Sequence, residues 1–216
     1  MAEPSDLRYP IGKENEQKEF EAPFNEALKT ALISDIKNLP SFLEFAIQDL
    51  DASQLQTPYR PGGWTVHQLV HHIADSHLNA YTRFKLGLTE ENPAIKPYDE
   101  QAWAELSDTK KLPVNISATL LHALHARWTQ LLEDITEVQW QRTVYHPERK
   151  IKMTLWELLK TYSWHSRHHV AHINHLRERM CWNQIKNYKL SIAMKWKVLS
   201  SEYINRHQYF TARKDK

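Results

Sequence analysis

The sequence predicts an all-α fold, a bundle of long helices joined by short helices and loops. Two observations carry this reading. Only four glycines occur in 216 residues, too few for a sandwich or barrel built on tight turns. Apolar residues recur at helical spacing along several long segments, the last of which holds a run of histidines over 164–175. With 41% apolar content the chain can build one sizeable core, and nothing in it marks a second independent domain.

The net charge of +2 hides an asymmetry: residues 1–180 hold 20 Lys and Arg against 24 Asp and Glu, whereas 181–216 hold 8 against 2. The body is therefore expected to span 1–180, with 181–216 a basic extension carrying Trp182, Tyr188, Trp196, Tyr203, Tyr209 and Phe210. Aromatics among cations can bind single-stranded nucleic acid or an anionic surface. No nucleic-acid motif accompanies them, and a terminal helix packed on the body or on a partner is the expectation. A single cysteine, Cys181, with no signal peptide and no apolar run long enough to cross a bilayer, points to the cytoplasm.

In chain order, a polar segment to about Lys18 contains Tyr9-Pro10-Ile11-Gly12, an extended arm or turn with no chemistry assigned to it. Leu28, Leu32, Ile36, Leu39, Phe42, Phe45, Ile47 and Leu50 then keep a helical period, and Pro40 is expected to kink or restart that helix. The glycines of Arg60-Pro61-Gly62-Gly63-Trp64 allow a sharp turn, and Thr65 with Gln68 reads as a capping box, so a second helix starts at about Val66. Its apolar face is Val66, Leu69, Val70, Ile73, Ala80 and Phe84, and it carries His67, His71, His72 and His77. Helical position favours His77, near mid-stripe, over His72 on the shoulder, but the pattern alone does not choose between them.

A polar loop from Thr89 to Glu100 precedes a short amphipathic piece around Trp103 and Leu106. It is either a cover for a site between helices, offering Tyr98 and Asp99, or a plain solvated connection. Leu120, Leu121, Leu124, Trp128, Leu131, Leu132 and Ile135 define a further helix, with His122, His125 and Arg127 on other faces. The segment from Val144 to Met153 looks extended and turn-rich, with His146 on a loop and Thr154 the cap of the last helix.

In that last helix Leu155, Leu159, Tyr162, Ile173, Leu176 and Met180 gather on one stripe. His169 falls near its centre and His165 one turn earlier at its edge, the i, i+4 spacing that lets two imidazoles converge on one ion. His168 and His172 share the spacing but project roughly 100° away, toward a flank or solvent.

Several motifs occur together in order: Arg60-Pro-Gly-Gly-Trp-Thr-Val, His71-His72-Ile-Ala-Asp-Ser-His, Arg83-Phe-Lys-Leu-Gly-Leu-Thr-Glu-Glu with Pro97-Tyr-Asp-Glu, His125-Ala-Arg-Trp, Tyr145-His-Pro and Trp164-His-Ser-Arg-His-His-Val-Ala-His-Ile. Over roughly residues 7–180 the chain thereby resembles the YfiT group of the DinB-like superfamily. The resemblance implies a four-helix bundle with short extra helices and loops, often homodimeric. It also implies one divalent metal held by His72, His165 and His169, against the helical-wheel preference for His77. The extension beyond Met180 departs from the family pattern.

Three neutral imidazoles leave a divalent ion at least one open position, as catalytic sites do. Zinc is the default and nickel also fits, since imidazoles discriminate weakly between them. Water on such an ion ionises near neutral pH, while a thiol there is held as thiolate. Tyr98, Asp99, Arg127 and His146 are the polar candidates that the motifs place nearby. The function implied is a metal-dependent hydrolase acting on a small molecule. The alternatives are a thiol S-transferase using a low-molecular-weight thiol such as bacillithiol, and a metal-stabilised binding or dimerisation module without catalysis.

Overall fold

The computed structural model describes residues 6–182. The expected extension, 181–216, lies outside the described residues apart from Cys181 and Trp182. Four long helices dominate: α1, Glu26–Ile47; α2, Val66–Thr89; α3, Val114–Glu133; and α4, Leu155–Arg179. The extended segment foreseen before α4 is a two-stranded antiparallel hairpin, β1 (Thr143–His146) and β2 (Ile151–Thr154), in the register Thr143 with Thr154 and His146 with Ile151. Among the described residues no helix is long and apolar enough to cross a membrane.

Side chains set where the helices begin. The Asn25 side chain accepts from Leu28 N at 2.8 Å and opens α1. Thr65 and Gln68 form the expected capping box before α2: the Thr65 hydroxyl accepts from Gln68 N, and Gln68 Oε1 accepts from Thr65 N, both at 3.1 Å. Thr154 caps α4 in the same way, with Glu157 as its reciprocal partner. Each such cap stabilises its helix by about 1 kcal/mol.

Pro40 neither stops α1 nor restarts it. The helix runs through it, with Leu39, Pro40, Phe42 and Leu43 all buried. Proline lacks the N–H that would bond the carbonyl four residues back, that of Ile36. His125 of α3 supplies the missing donor, its Nδ1 lying 2.5 Å from Ile36 O. His125, expected on a face other than the apolar stripe, is 1% exposed. Leu120, expected to pack, is instead 44% exposed.

The N-terminal segment lies along α4. Phe20 O and Ala22 O accept from Lys160 Nζ at 3.0 and 2.9 Å, Gly12 O accepts from the Trp164 indole at 3.3 Å, and Glu19 pairs with Arg167. His168 and His172 are consequently 6% and 3% exposed. Of the two expected surroundings, a flank or solvent, they have the flank, and this arm, which periodicity within one helix cannot reveal, covers it.

The core joins Leu32, Ile36, Phe84, Trp128, Trp140 and Leu155 from the helices and their connections. Gly87 lets α2 approach the start of α4 closely: a Cβ there would come within 2.7 Å of Leu155 Cδ2 and 3.1 Å of Val144 Cγ1. Leu155 and Val144 are fully buried and have little room to yield. Gly87→Ala should therefore lower stability, the overpacking of roughly 1–3 kcal/mol outweighing the helix propensity gain of about 1 kcal/mol. Thermal denaturation checks this, and a raised melting temperature would show that the contact is loose.

Candidate metal centre

His72 of α2 and His165 and His169 of α4 each direct one ring nitrogen to a common region, all three atoms lying within 4.8 Å of one another. His72 and His169 are 5% and 7% exposed. The facing Nε2 atoms of His165 and His169 are 3.0 Å apart. Trp64, from the turn before α2, packs against the His72 ring with centroids 4.4 Å apart. The capping box fixes where α2 starts, and burial of its apolar face turns His72 toward α4.

A second group, His168, His169 and His172, meets the same distance criterion and shares His169. In it His168 stacks on Trp164, and its Nδ1 is buried without a hydrogen-bond partner. His172 Nε2 stands 3.2 Å from Arg8 O, and His172 Nδ1 stands 3.4 Å from His169 Nδ1. No fourth histidine, cysteine or carboxylate joins either group among the described residues.

His77, the residue that helical position favours, is 0% exposed and lies behind His165. Its Nε2 is 3.0 Å from His165 Nδ1 and its Nδ1 is 3.1 Å from His125 Nε2, so both ring nitrogens are engaged away from the cluster of three. The edges of its ring meet Trp128 and Tyr162.

The four polar candidates separate. Tyr98 has its hydroxyl buried beside Ser76, whose own Oγ is 3.5 Å from His165 Nε2. His146 is half-buried at the end of β1 and accepts from Arg149 N at 3.3 Å. Asp99 caps the short helix Glu100–Trp103, accepting from Ala102 N at 2.9 Å, which accounts for its carboxylate. Arg127 is exposed on α3, its guanidinium 5.7 Å over the Tyr81 ring. Sequence reasoning passed over Ser76, and also Arg83, whose Nη1 donates to the Tyr162 hydroxyl at 2.8 Å. Both stand in the motifs that carry the family resemblance, Ser76 one residue before His77 and Arg83 at the head of its own.

The fold agrees with the comparisons. The DinB superfamily matches residues 39–173. The chain belongs to the DinB superfamily. A protein from Bacillus cereus named "Putative metal-dependent hydrolase" is 50% identical over 178 residues, covering 82% of this chain and 99% of its own length. One of the same name from Bacillus anthracis is 49% identical over 178 residues, with the same coverage. The solved structure of YfiT from Bacillus subtilis, described as a probable metal-dependent hydrolase with an unusual four-helix bundle topology, superposes with a TM-score of 0.77 at 48% identity. That match covers 82% of this chain and 99% of YfiT. The four-helix bundle expected from the sequence is the DinB fold.

In this DinB chain burial keeps the imidazoles uncharged. It pushes His72 down to about 4, and His125 and His172 also to about 4. His77, His165 and His169 are held well below the usual range by burial first and by neighbouring imidazoles second. Neutral rings offer lone pairs, the form that binds metal. Unfolding returns each ring to about 6.5, so between the two values the unfolded chain binds more protons than the folded one. The stability tied to these rings is complete above about pH 6.5 and lost as pH falls toward 4. The melting temperature of protein held metal-free with a chelator should therefore drop steeply between about pH 6.5 and 5, and a flat profile would contradict the burial of the cluster.

Proposed function

We propose that this DinB chain is a metal-dependent hydrolase whose ion is held by His72, His165 and His169. The observation that carries the reading is the convergence of three buried or half-buried imidazole nitrogens within 4.8 Å, from two different helices, with no fourth protein ligand among the described residues. The names of its relatives in Bacillus support it. The second group is the weaker candidate, since it lies wholly on α4 and His172 Nε2 is turned to a backbone carbonyl.

The donor set fits a divalent transition metal: three neutral imidazoles suit zinc first and nickel second. Such an ion supplies Lewis acidity, which makes water nucleophilic at neutral pH and equally holds a thiol as thiolate. The chain's own groups do the rest. Ser76 presents its hydroxyl beside His165, and the Tyr98 hydroxyl stands next to Ser76. Burial raises the Tyr98 hydroxyl above its ordinary range, so it keeps its proton and acts as a donor. Burial lowers His146, which stands neutral at the end of β1. Trp64 packs on the His72 ring, which is 5% exposed.

The test has a binding arm and a turnover arm. Purified protein should carry one metal per chain, lost in His165→Ala and His169→Ala and kept in His168→Ala. The loaded protein should hydrolyse a member of an ester, amide and phosphoester panel without added thiol. Loss of metal from His168→Ala alone would assign the second group instead. Turnover of an electrophile only with a thiol such as bacillithiol would make the chain a transferase. Metal required for folding with no turnover in either assay would leave a structural module.

A further inference from the structure

We propose that His77, His125 and His172 are positioning residues whose hydrogen bonds, anchored on two backbone carbonyls, force His165 and His169 to present bare Nε2 atoms to the ion. The inference takes the three-histidine centre proposed above as its endpoint.

The argument begins at Pro40. Because proline has no N–H, the Ile36 carbonyl lacks its helical donor, and His125 Nδ1 stands 2.5 Å from it. A carbonyl can only accept, so His125 carries its proton on Nδ1 and its Nε2 is bare. A bare Nε2 must accept, so His77 donates to it from Nδ1 across 3.1 Å. That leaves His77 Nε2 bare, and His165 donates to it from Nδ1 across 3.0 Å. His165 Nε2 is thereby bare.

The other side repeats the logic. Arg8 O accepts from His172 Nε2 at 3.2 Å, so His172 Nδ1 is bare and accepts from His169 Nδ1 at 3.4 Å. His169 Nε2 is bare as well. The two chains are independent of each other, one starting in α1 and the other in the N-terminal arm, yet both end with a lone pair at the same place. Those lone pairs face each other across 3.0 Å, an arrangement of two acceptors that a cation between them reconciles. The same assignment sets the two histidine groups apart. His169 cannot give Nδ1 to the second group while that atom carries the proton donated to His172.

This gives His77 and His125 a role that packing alone does not require. A phenylalanine would fill the space between Trp128 and Tyr162 at His77 but would leave His165 free to put its proton on Nε2. Partners of this kind, which fix the tautomer of a ligating histidine, typically change metal affinity 10–100-fold.

The experiment uses the full chain with zinc alone as probe. Long-range proton–nitrogen correlation spectra of metal-free protein with labelled histidine should show His77, His125, His165 and His169 protonated on Nδ1 and His172 on Nε2. His77→Phe should shift His165 to a mixture of tautomers and weaken zinc binding by about 10–100-fold. His77→Gln, which can still accept from His165 and donate to His125, should restore most of that affinity. A wild-type His165 carrying its proton on Nε2 would overturn the proposal, as would a His77→Phe protein that is folded and binds zinc like wild type. Should His77→Phe fail to fold, the wild-type spectrum and the affinity of His77→Gln decide. If wild-type protein binds no zinc at all, the proposed metal centre fails, while the spectrum still settles the tautomers.

Discussion

Imidazoles buried inside an apolar bundle impose the constraint on which the rest of this structure depends: every ring N–H needs an acceptor, and every bare nitrogen needs a donor or an ion. The described residues contain no carboxylate within either histidine group to take up those protons. Backbone carbonyls do so instead. Arg8 O serves His172, Ile36 O serves His125, and Leu112 O serves His71, whose other nitrogen meets the Ser117 hydroxyl at 2.7 Å. Each of these carbonyls is free because of a local interruption. The arm and the turn before α3 are not helical there, and Pro40 removes the competing donor inside α1.

The apolar frame gives these contacts their precision. Phe84, Trp128, Trp140 and Leu155 are buried together and hold α2, α3 and α4 at fixed distance. Gly87 allows the close approach of α2 to the hairpin and to the start of α4. Capping boxes at Thr65 and Thr154 fix the first residues of the two helices that bear His72, His165 and His169. The step of about 100° per residue then ties the direction of each histidine to that of the apolar stripe its helix buries.

Local signals were well read from the sequence. The boundaries at Val66 and Leu155 followed from hydroxyl and Gln or Glu side chains three residues apart, interactions contained within one turn. The extended segment before α4 and the turn-rich arm also followed from short-range preference. Of the two outcomes expected at Pro40, the restart does not occur: its missing N–H costs α1 a hydrogen bond, and the donor that offsets it comes from His125, far away in the chain. The Asp99 carboxylate caps the short helix that follows it, a role its position before that helix allows.

By itself the sequence determined the all-helical class, the starts of the two helices that bear His72, His165 and His169, and the pairing of His165 with His169 at i, i+4 on one buried face, because each depends on periodicity or capping within a single segment. Its motifs also implied His72 as the third member. Only the tertiary structure decided that His77 stands behind His165 with both nitrogens engaged, that His125 is buried, and that the arm covers His168 and His172. A helical wheel gives the direction in which a side chain leaves its own axis. Whether it then meets an open cavity, another ring or a carbonyl is set by the other helices, and that information exists only once they are packed.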